Sequence, residues 1–465
     1  MHSNTSHFSV CRLLGAILLV MSLASCGDSA PPSPKVDLNL LLITIDTTRS
    51  DGLTCYGGRE GTTPNIDMLA ERSVLFERAY SATNVTKPAH LSIMSGQRSI
   101  DHGVFNNQVL IPKQIEALPL LMQSSGYQTA GFVGAIQLGE QTGWQGFDVI
   151  EGPVQPKIQR VAEAVADSAL AWLRKRESRP FFLWTHFFDP HTLYTPPKKF
   201  AKPFYKADWR SSKGALISDN PWFKDWDYAA MPLWIEGITD PRYAKGMYAG
   251  ELGYTDSQIA RLFEFLKAEQ LEEQTVVVLT ADHGEHFGEH GIFYDHTGLY
   301  ETALKIPLII HVPGGQAGTR SRELVTQLDV LPTLVELFQL PAIGSGDGAS
   351  LMPILKVGST LRKEDRTLIF ESAHNHQVAI RKDDWKLIWG INQEHRFLGG
   401  EPELFNLAED PEELNNLFDA HPEIVAELRP QVESWIEMGV ISAKDMPTMS
   451  DEALEGIEDL GYAGD

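Results

Sequence analysis

Five short and nearly continuous apolar runs constrain the fold of this chain more than any other feature. They cover residues 38–45, 129–134, 180–188, 275–281 and 306–312, and helical patterns lie between them at 65–73, 114–124, 158–175 and 243–269. A strand that is apolar on both faces is typical of a parallel sheet that is covered by helices. The alternation therefore predicts an α/β fold with a mostly parallel central sheet.

Acidic residues follow three of these runs. Asp46, Asp189 and Asp282 each stand directly after a predicted strand. The carboxyl ends of parallel strands share one edge of a sheet, and ligands bind beyond that edge. A single acid in this position is usually a turn or cap residue, but three from distant parts of the sequence predict a site.

The composition excludes one class of function. The 465 residues include 62 acids and 39 basic residues, which gives a net charge of −23. Nucleic acids are bound through their phosphates, so a chain this acidic is not expected to bind one along a basic face. A local cationic or metal-centred pocket for a small anion is still compatible with this charge.

The N-terminus has the features of an export signal. An apolar run at 13–23 follows Arg12 and is too short for a transmembrane helix, which needs about 20 residues. The Leu-Ala-Ser-Cys sequence ending at Cys26 resembles the lipobox of bacterial lipoproteins, which implies cleavage before Cys26 and lipidation of its thiol. We therefore expect a signal peptide at 1–25, a flexible tether at 26–37, and an exported protein, periplasmic or at the cell surface, that meets the membrane only through its lipid. The alternative is a plain secreted signal with an incidental cysteine.

The character of the sequence changes near Arg366. Short strand patterns at 367–371, 377–381 and 386–389 precede a helical pattern at 422–438. This predicts a main domain at 38–365, a small C-terminal α+β domain at 366–440 and an acidic tail at 441–465.

The densest cluster of chemically active residues lies at 280–291. Asp282 and His283 are adjacent after a predicted strand, and four of the 15 histidines lie from His283 to His296. A carboxylate oxygen and an imidazole nitrogen are suitable ligands for a divalent metal ion. The cluster therefore predicts a metal or catalytic site.

Two further segments carry polar residues that suit catalysis. Pro88 is typical of the first turn of a helix, so Thr86 falls at or just before the N-cap. The exposed amides of that turn would favour an anion and a metal-activated hydroxyl; the alternative is a simple cap. In the segment 186–197, His191 could serve a leaving group or a substrate oxygen, and the alternative is a histidine satisfied by loop packing.

In combination, these segments resemble the sulfatase family of the alkaline-phosphatase-like superfamily, from Leu38 to about Trp435. The segments that carry the resemblance include Asp46-Thr47-Thr48-Arg49-Ser50-Asp51, Thr63-Pro64-Asn65, Asp101-His102-Gly103-Val104, Tyr294-Asp295-His296-Thr297-Gly298 and Glu403-Leu404-Phe405-Asn406. The resemblance implies an α/β/α sandwich with a small C-terminal α+β domain, and a metal-dependent ester hydrolase.

The resemblance also implies a role for each residue that matches a family motif. The expected metal ligands are Asp46, Thr86, Asp282 and His283; the expected catalytic residues are Thr86, His90, His102, His191 and His296; and the expected substrate-binding residues are Lys87, His191 and His296.

The chain departs from the family pattern at the nucleophile. Typical sulfatases carry Cys or Ser, any residue, Pro, a small residue and Arg, and that Cys or Ser is oxidised to formylglycine. Here Thr86 and His90 hold the first and last positions, so no formylglycine is expected. A threonine nucleophile resembles the phosphotransferring relatives, such as nucleotide phosphodiesterases and phosphoethanolamine transferases. One divalent ion (Ca, Mn or Zn) is implied, and a second ion near Asp189, His191 and His296 is a further option.

The resulting expectation is a hydrolase of sulfate or phosphate esters of a small molecule, a glycan or a lipid. The alternatives are a phosphoryl-group transferase, similar to the phosphoethanolamine or glycerophosphate transferases, and a non-catalytic binding lipoprotein of the same fold. Tryptophans at 209, 222, 226 and 234 lie in an insertion at 198–242. They predict either an aromatic lid over the substrate or a loop that packs on the body.

Overall fold

The computed structural model describes residues 36–154, 159–210, 215–225, 231–342, 344, 346–357, 366–372, 377–391, 400–438, 447–451 and 453–454. Within this part of the chain the first eleven strands are β1 (Asn39–Ile45), β2 (Val74–Tyr80), β3 (Gln128–Val133), β4 (Val149–Glu151), β5 (Phe181–Phe187), β6 (Thr275–Ala281), β7 (His286–Phe287), β8 (Phe293–Asp295), β9 (Lys305–Ile306), β10 (Leu308–His311) and β11 (Thr319–Thr326). The predictions made for Cys26, for the signal peptide and for most of the tether and the acidic tail lie outside the described residues.

The central sheet has the order β11-β2-β10-β6-β1-β5-β3-β4, with β9 paired to β2, while β7 and β8 pair only with each other. Neighbouring strands from β6 to β4 are parallel, which confirms the mostly parallel sheet. The run at 306–312 was expected to be parallel as well, and that expectation is wrong, because β10 is antiparallel to both β6 and β2. A strand that is buried on both faces carries no sequence signal of its direction.

Helices cover both faces of this sheet. They are α1 (Pro64–Ala70), α2 (Thr86–Ser95), α3 (Ser99–His102), α4 (Leu118–Ser124), α5 (Ala162–Lys175), α6 (Lys198–Ala201), α7 (Met231–Ile235), α8 (Arg242–Ala268), α9 (Glu301–Leu304), α10 (Val330–Phe338) and α11 (Met352–Val357).

Alternate residues of β1 enter two separate cores. Leu41 and Ile43 pack in the core that contains α1, α5 and α8, whereas Leu40 and Leu42 pack in the core that contains α2, α4 and α10. Successive strand residues point to opposite faces, so the continuous apolar run is explained by burial on both sides. The predicted α/β/α sandwich is confirmed.

The parallel register of β1 determines where the polar residues meet. Ile45 lies opposite Ala281 of β6, and Thr44 lies opposite His186 of β5. Asp46 and Asp282 therefore leave adjacent strands at the same level, with His186 one strand away.

The C-terminal domain is a second, antiparallel sheet with one helix. Its strands β12 (Thr367–Glu371), β13 (Gln377–Lys382), β14 (Trp385–Gly390) and β15 (Glu403–Asn406) follow in order, and the helix is α12 (Pro422–Glu437). Leu428 and Val432 of α12 pack on Ile380 and Leu387 of the sheet. The predicted small α+β domain is therefore present, with β15 as an additional strand.

Among the described residues, none of the helices combines the length and apolar character needed to cross a membrane.

A buried charge cluster joins β14 of the C-terminal sheet to α9 and leads to a first prediction. Lys386 is fully buried, with its Nζ 2.7 Å from Glu413 and 3.3 Å from Glu301. We expect Lys386→Met to lower the free energy of unfolding by about 3–5 kcal/mol, because the two carboxylates stay buried after the loss of their shared partner. Urea titration would measure this loss.

The matched control is Arg429→Met on α12. Arg429 pairs with Glu433 at 2.8 Å, but both side chains are about half exposed, at 53% and 54%. Exposed pairs contribute up to about 1 kcal/mol. Equal losses for the two variants would contradict the role of the buried cluster.

Candidate active site

Two buried carboxylates face each other at the carboxyl edge of the sheet. Asp282 Oδ1 accepts hydrogen bonds from the backbone amides of Thr47 (3.1 Å) and His283 (2.9 Å). Asp282 Oδ2 and both oxygens of Asp46 have no hydrogen-bond partner among the described residues. Burial, followed by the nearby charge of Asp282, raises the pKa of Asp46 well above its ordinary value. Unpartnered buried carboxylates are costly, and a bound cation would offset that cost.

His283 and Thr86 complete the set of expected metal ligands. Donor atoms of Asp46, Asp282 and His283 all lie within 4.8 Å of one another. His283 Nε2 is 3.4 Å from Asp282 Oδ2 and 3.5 Å from Thr86 Oγ1. The structure therefore brings the four predicted ligands together. Carboxylates, an imidazole and a hydroxyl form a donor set that fits a divalent metal ion.

Thr86 is the first residue of α2. Val85 before it is extended, with φ −131° and ψ 135°, and the helix ends at Gly96 in a left-handed conformation. The amides of this first turn were expected to bind an anion, but those of Lys87 and Ala89 already donate to groups within the protein. The amide of Lys87 donates to Asn107 Oδ1 (2.9 Å) and that of Ala89 to the carbonyl of Val85 (2.9 Å), while Pro88 has no N–H.

Lys87 does not reach the centre, so its predicted role in substrate binding is wrong. Its Nζ is fully buried 2.9 Å from the carbonyl oxygen of Val109 and 3.1 Å from Met449 Sδ. Burial lowers the pKa of Lys87 to about 7. The side chain lies on the face of α2 that is covered by the segment around Met449, away from Asp46.

The ring of His90 is held between the backbone of Thr86 and a neighbouring strand. Its Nδ1 lies 2.7 Å from the carbonyl oxygen of Thr86, and its Nε2 lies 3.0 Å from Thr44 Oγ1. Trp184 Nε1 donates to the same threonine oxygen at 3.0 Å. Both ring nitrogens of His90 are therefore engaged in the fold, and the structure corrects its predicted catalytic role to one of positioning Thr86.

The ring of His102 also contacts residues that are close to it in sequence. Its Nε2 lies 3.3 Å from Ser92 Oγ, and its Nδ1 accepts the amide hydrogen of Val104 at 3.1 Å. Burial lowers the pKa of His102 to about 3, so it carries no charge to offset that of a substrate. The predicted catalytic role of His102 stays a prediction, and neither of its contacts is with an expected metal ligand.

The rings of His296 and His191 lie beside the expected metal ligand His283. The ring of His296 is 4.1 Å from that of His283 and 6.0 Å from that of His191, measured between centroids. His191 Nδ1 lies 2.8 Å from the carbonyl oxygen of Thr192. Burial, followed by the nearby His296, lowers the pKa of His191 to about 4.

The carboxylate of Asp189 is engaged elsewhere, and its oxygens do not group with the nitrogens of these two histidines. Its Oδ2 accepts the amide hydrogen of Ala162, the first residue of α5, at 2.7 Å. Its carboxyl group also hydrogen-bonds Glu251 on α8. The proposed second ion at Asp189, His191 and His296 is therefore wrong, because Asp189 serves as the cap of a helix.

The carboxyl pair of Glu251 and Asp189 leads to a second prediction. Burial, followed by the charge of Asp189, raises the pKa of Glu251 to about 9 from an ordinary 4.5. The folded protein therefore keeps the Glu251 proton at pH values where the unfolded chain loses it. As a result, the free energy of unfolding is highest below pH 4.5 and falls as the pH rises toward 9, by at most about 1.4 kcal/mol per pH unit. We expect Glu251→Gln to flatten this decline in urea titrations between pH 5 and 9. Glu264→Gln, an exposed residue of the same helix, should follow the wild-type curve, and a wild-type curve for Glu251→Gln would contradict the prediction.

Comparison with known proteins identifies the family. The family model described as Sulfatase matches residues 38–340, and the model described as N-sulphoglucosamine sulphohydrolase, C-terminal, matches residues 288–437. The chain belongs to the sulfatase family. Its members are metal-dependent hydrolases of sulfuric or phosphoric esters, which agrees with the His/Asp centre.

Individual relatives are distant but cover most of the chain. The N-acetylglucosamine-6-O-sulfatase of Bacteroides thetaiotaomicron is 24% identical over 486 residues, which is 86% of each chain. A solved structure in complex with its substrate D-glucosamine-2-N,6-O-disulfate has a TM-score of 0.70 at 22% identity and covers 88% of this chain and 98% of that one. The phosphonate monoester hydrolase of Agrobacterium radiobacter has a TM-score of 0.68 at 20% identity, with coverages of 86% and 95%.

Two buried residues of this sulfatase-family site were missed by sequence reasoning. His186 Nε2 lies 3.3 Å from Asp46 Oδ2. Glu285 Oε2 accepts a hydrogen bond from the hydroxyl of Tyr194 at 2.9 Å, and burial raises the pKa of Glu285 to about 8. Their positions in the sequence could have indicated that they lie near the site. His186 is next to last in its strand, and Glu285 is three residues after Asp282.

The aromatic insertion of this family member packs on the body. The ring of Trp234 lies 5.5 Å from that of Tyr194 and 5.4 Å from that of Tyr294, and Trp222 is only 5% exposed. Trp209 stacks on Tyr243. The structure therefore supports packing over a lid for these residues, and Trp226 lies outside the described residues.

A cavity of about 520 Å³ opens between the segment that follows Asp46 and the first turns of α8. Residues 204–207 of the insertion form part of its wall. Another wall residue, Tyr248, donates its hydroxyl hydrogen to the carbonyl of Thr47 at 2.9 Å, which ties the cavity to the residue after Asp46. Its described lining contains one acid, Asp51, and five cations, which are Arg49, Arg59, Lys206, Arg242 and Lys245.

Proposed function

We propose that the chain is a lipid-anchored extracytoplasmic hydrolase that cleaves a sulfate or phosphate ester with Thr86 as its nucleophile. One observation carries the proposal. Thr86 Oγ1 lies 3.5 Å from His283 Nε2, at a centre where Asp46 and Asp282 keep unpartnered oxygens. A divalent cation held by these four residues would lower the pKa of the threonine hydroxyl and offset the charge of the ester.

The remaining chemistry belongs to side chains of this chain. Thr86 Oγ attacks the sulfur or phosphorus in line, and the bond to the leaving oxygen breaks. His191 or His296 gives a proton to that oxygen. The hydroxyl proton of Thr86 passes to solvent before the attack. Water then attacks the sulfur or phosphorus of the ester formed on Thr86, the same histidine takes a proton from the water, and the bond to Thr86 Oγ breaks. A proton from solvent restores the threonine hydroxyl.

The protonation of His191 depends on the substrate. With a pKa of about 4 in the protein alone, His191 is neutral at pH 7. An anionic ester bound beside it favours the charged imidazolium and raises this pKa. His191 is therefore expected to become an acid only when the ester is bound.

A panel of small esters tests the activity. The purified protein would be depleted of metal with a chelator, resupplied with Ca²⁺, Mn²⁺ or Zn²⁺, and assayed on nitrophenyl sulfate, phosphate monoester, phosphate diester and phosphonate monoester. We expect turnover of at least one ester that depends on the added ion. The threonine favours a phosphorus ester, whereas the names of the relatives favour sulfate. Absence of turnover on all four with every ion would refute the proposal.

The anchoring part of the proposal rests on the sequence around Cys26. Expression in a bacterial host with labelled palmitate would test it. We expect label on the wild-type chain, which should fractionate with membranes. A Cys26→Ser variant should carry no label and leave the membrane fraction, and equal labelling of the two chains would refute the anchor.

The cationic cavity favours an ester whose organic part carries further negative charge. Lys245 is 56% exposed and lies 5.8 Å from the ring of Phe287 in the same cavity. We expect Lys245→Gln to raise KM about threefold for an aryl ester that bears an extra carboxylate, since an exposed charge pair is worth up to about 1 kcal/mol. An uncharged aryl ester should be unaffected.

The matched control for this third prediction is Lys267→Gln. Lys267 lies near the other end of the same helix and does not line the cavity. Kinetics on the charged and uncharged esters would be compared for both variants. Identical changes for the two variants, or for the two esters, would contradict binding in the cavity.

A further inference from the structure

One buried carboxamide connects two backbone segments of the site. Gln327 is 2% exposed and begins the 3₁₀ turn between β11 and α10. Its Nε2 donates to the carbonyl oxygens of Ala281 (2.9 Å) and Asp282 (2.6 Å). Its Oε1 accepts the amide hydrogen of Ala82 at 3.1 Å and lies 3.1 Å from Ser81 Oγ. The carboxamide therefore spans from the end of β6 to the segment that connects β2 to α2.

Each end of this connection leads to a residue of the expected reaction. On one side, Gln327 holds the carbonyl oxygen of Asp282, which is an expected metal ligand. On the other side, Ala82 stands four residues before Thr86, the expected nucleophile. A displacement of about 1 Å from the productive geometry can lower a rate about a hundredfold. The placement of the nucleophile relative to the metal ligand therefore depends on the hydrogen bonds of one side chain.

The segment between β2 and α2 has two further supports. The carbonyl oxygen of Ala82 accepts the amide hydrogen of Glu371, the last residue of β12, at 3.0 Å. Asn84 Nδ2 donates to the carbonyl oxygen of His296 at 2.8 Å. Of these three supports, only Gln327 leads to the backbone of an expected metal ligand.

The turn that carries Gln327 is itself fixed. Thr326 and Asp329 form a capping box around it, in which Asp329 Oδ2 accepts the amide hydrogen of Thr326 at 2.8 Å. Asp329 is fully buried, and Arg366 Nη1 donates to the same oxygen at 2.7 Å. Its Oδ1 accepts the amide hydrogen of Ala349, also at 2.7 Å. Gln327 therefore holds the two segments from a third part of the chain that is anchored independently of them.

We propose that Gln327 is a positioning residue of the active site, which fixes the placement of Thr86 relative to the metal ligand Asp282. This inference rests on the proposed function and adds to it a residue that acts through the backbone of its neighbours. A carboxamide suits this role, because its NH₂ group donates to carbonyl oxygens on one side while its oxygen accepts an amide hydrogen on the other. Ligands that are already ordered bind more tightly, since less freedom is lost on binding.

Gln327→Met tests the proposal, and Gln128→Met is its matched control. Methionine is about as long as glutamine but has no donor and only a weak acceptor. Gln128 is 5% exposed at the amino end of β3, the opposite edge of the sheet from the site. Its Nε2 donates to the carbonyl oxygens of Glu177 (3.2 Å) and Arg179 (2.9 Å), and its Oε1 accepts the amide hydrogen of Glu177 (2.8 Å). Each variant loses a buried carboxamide that connects two segments, so both should unfold at a lower urea concentration than the wild type.

The two variants are expected to differ at the site. Metal-free full-length proteins would be titrated with Zn²⁺, Mn²⁺ and Ca²⁺ by calorimetry and assayed on the best small ester at saturating ion. We expect Gln327→Met to bind the tightest ion at least about tenfold more weakly and to lose at least about tenfold in kcat, with KM within about threefold of the wild type. Gln128→Met should keep both the affinity and kcat within about twofold.

The outcomes separate this inference from the proposed function. If the wild type binds an ion and cleaves an ester while Gln327→Met equals it in affinity and kcat, the positioning role is refuted and the proposed function stands. Equal losses in Gln327→Met and Gln128→Met would also refute the role, since general destabilisation would then be the cause. A wild type that binds no ion and cleaves no ester would refute both. If Gln327→Met does not fold, Gln327→Asn takes its place. Asparagine is one methylene shorter and cannot reach both segments, so an unchanged affinity would refute the role.

Discussion

Replacing Thr86 with alanine is expected to lower kcat/KM for the best small ester about a thousandfold or more, equal to a loss of ~4 kcal/mol of barrier lowering. The hydroxyl is fully buried and lies within 3.5 Å of His283 Nε2, at the start of α2. Alanine keeps the helix but removes both the nucleophilic oxygen and one expected ligand. The loss should appear in kcat more than in KM, since the missing bond forms in the transition state.

Two other variants define this experiment. Thr86→Ser keeps the hydroxyl and should retain far more activity than the alanine variant. Ser92→Ala removes a buried hydroxyl from the same helix, but one that lies 3.3 Å from His102 instead of the centre, so its activity should stay within a few-fold of the wild type. If Thr86→Ala keeps wild-type activity, Thr86 is not the nucleophile.

The fold was largely predictable because burial leaves a direct trace in the sequence. Strands that are buried on both faces read as apolar runs, and β1, β5 and β6 fall within a residue or two of the expected ranges. Strand β2 was not anticipated, because Glu77 and Arg78 interrupt its apolar pattern. These two residues are close to the polar edge strand β11, where the sheet is less covered.

The convergence of the expected metal ligands was predictable from the sequence, and the surroundings of the histidines were less so. Asp46 and Asp282 follow adjacent parallel strands, so topology alone brings them together. Ring orientation, in contrast, depends on neighbours that are distant in sequence. His90 could have been interpreted from local spacing, because residues four apart lie one above the other on a helix, which directs its ring at the carbonyl of Thr86. No sequence pattern predicts that the side chains of His102 and Lys87 are buried by residues from other segments.

Asp282→Asn is expected to lower kcat/KM by about a thousandfold, with loss of bound metal as the cause. Asparagine can still accept the two amides through its Oδ1, as Asp282 Oδ1 does from Thr47 and His283. In place of the unpartnered Oδ2 it would present an NH₂ group, which repels a cation. The effect should therefore appear as a lower content of zinc, manganese or calcium after dialysis, measured by elemental analysis together with kcat/KM.

The control is another buried aspartate whose Oδ1 also accepts hydrogen bonds from two backbone amides. Asp256 Oδ1 accepts the amides of Asn65 (3.1 Å) and Ile66 (2.8 Å) at the start of α1 and is buried as deeply as the site acids. If amide acceptance were the whole function of Asp282, the two Asp→Asn variants would lose stability alike and keep their metal alike. We expect Asp256→Asn to retain metal and activity. Equal metal content in the two variants would contradict the ligand role of Asp282, because their difference isolates the charge of the oxygen that faces Asp46.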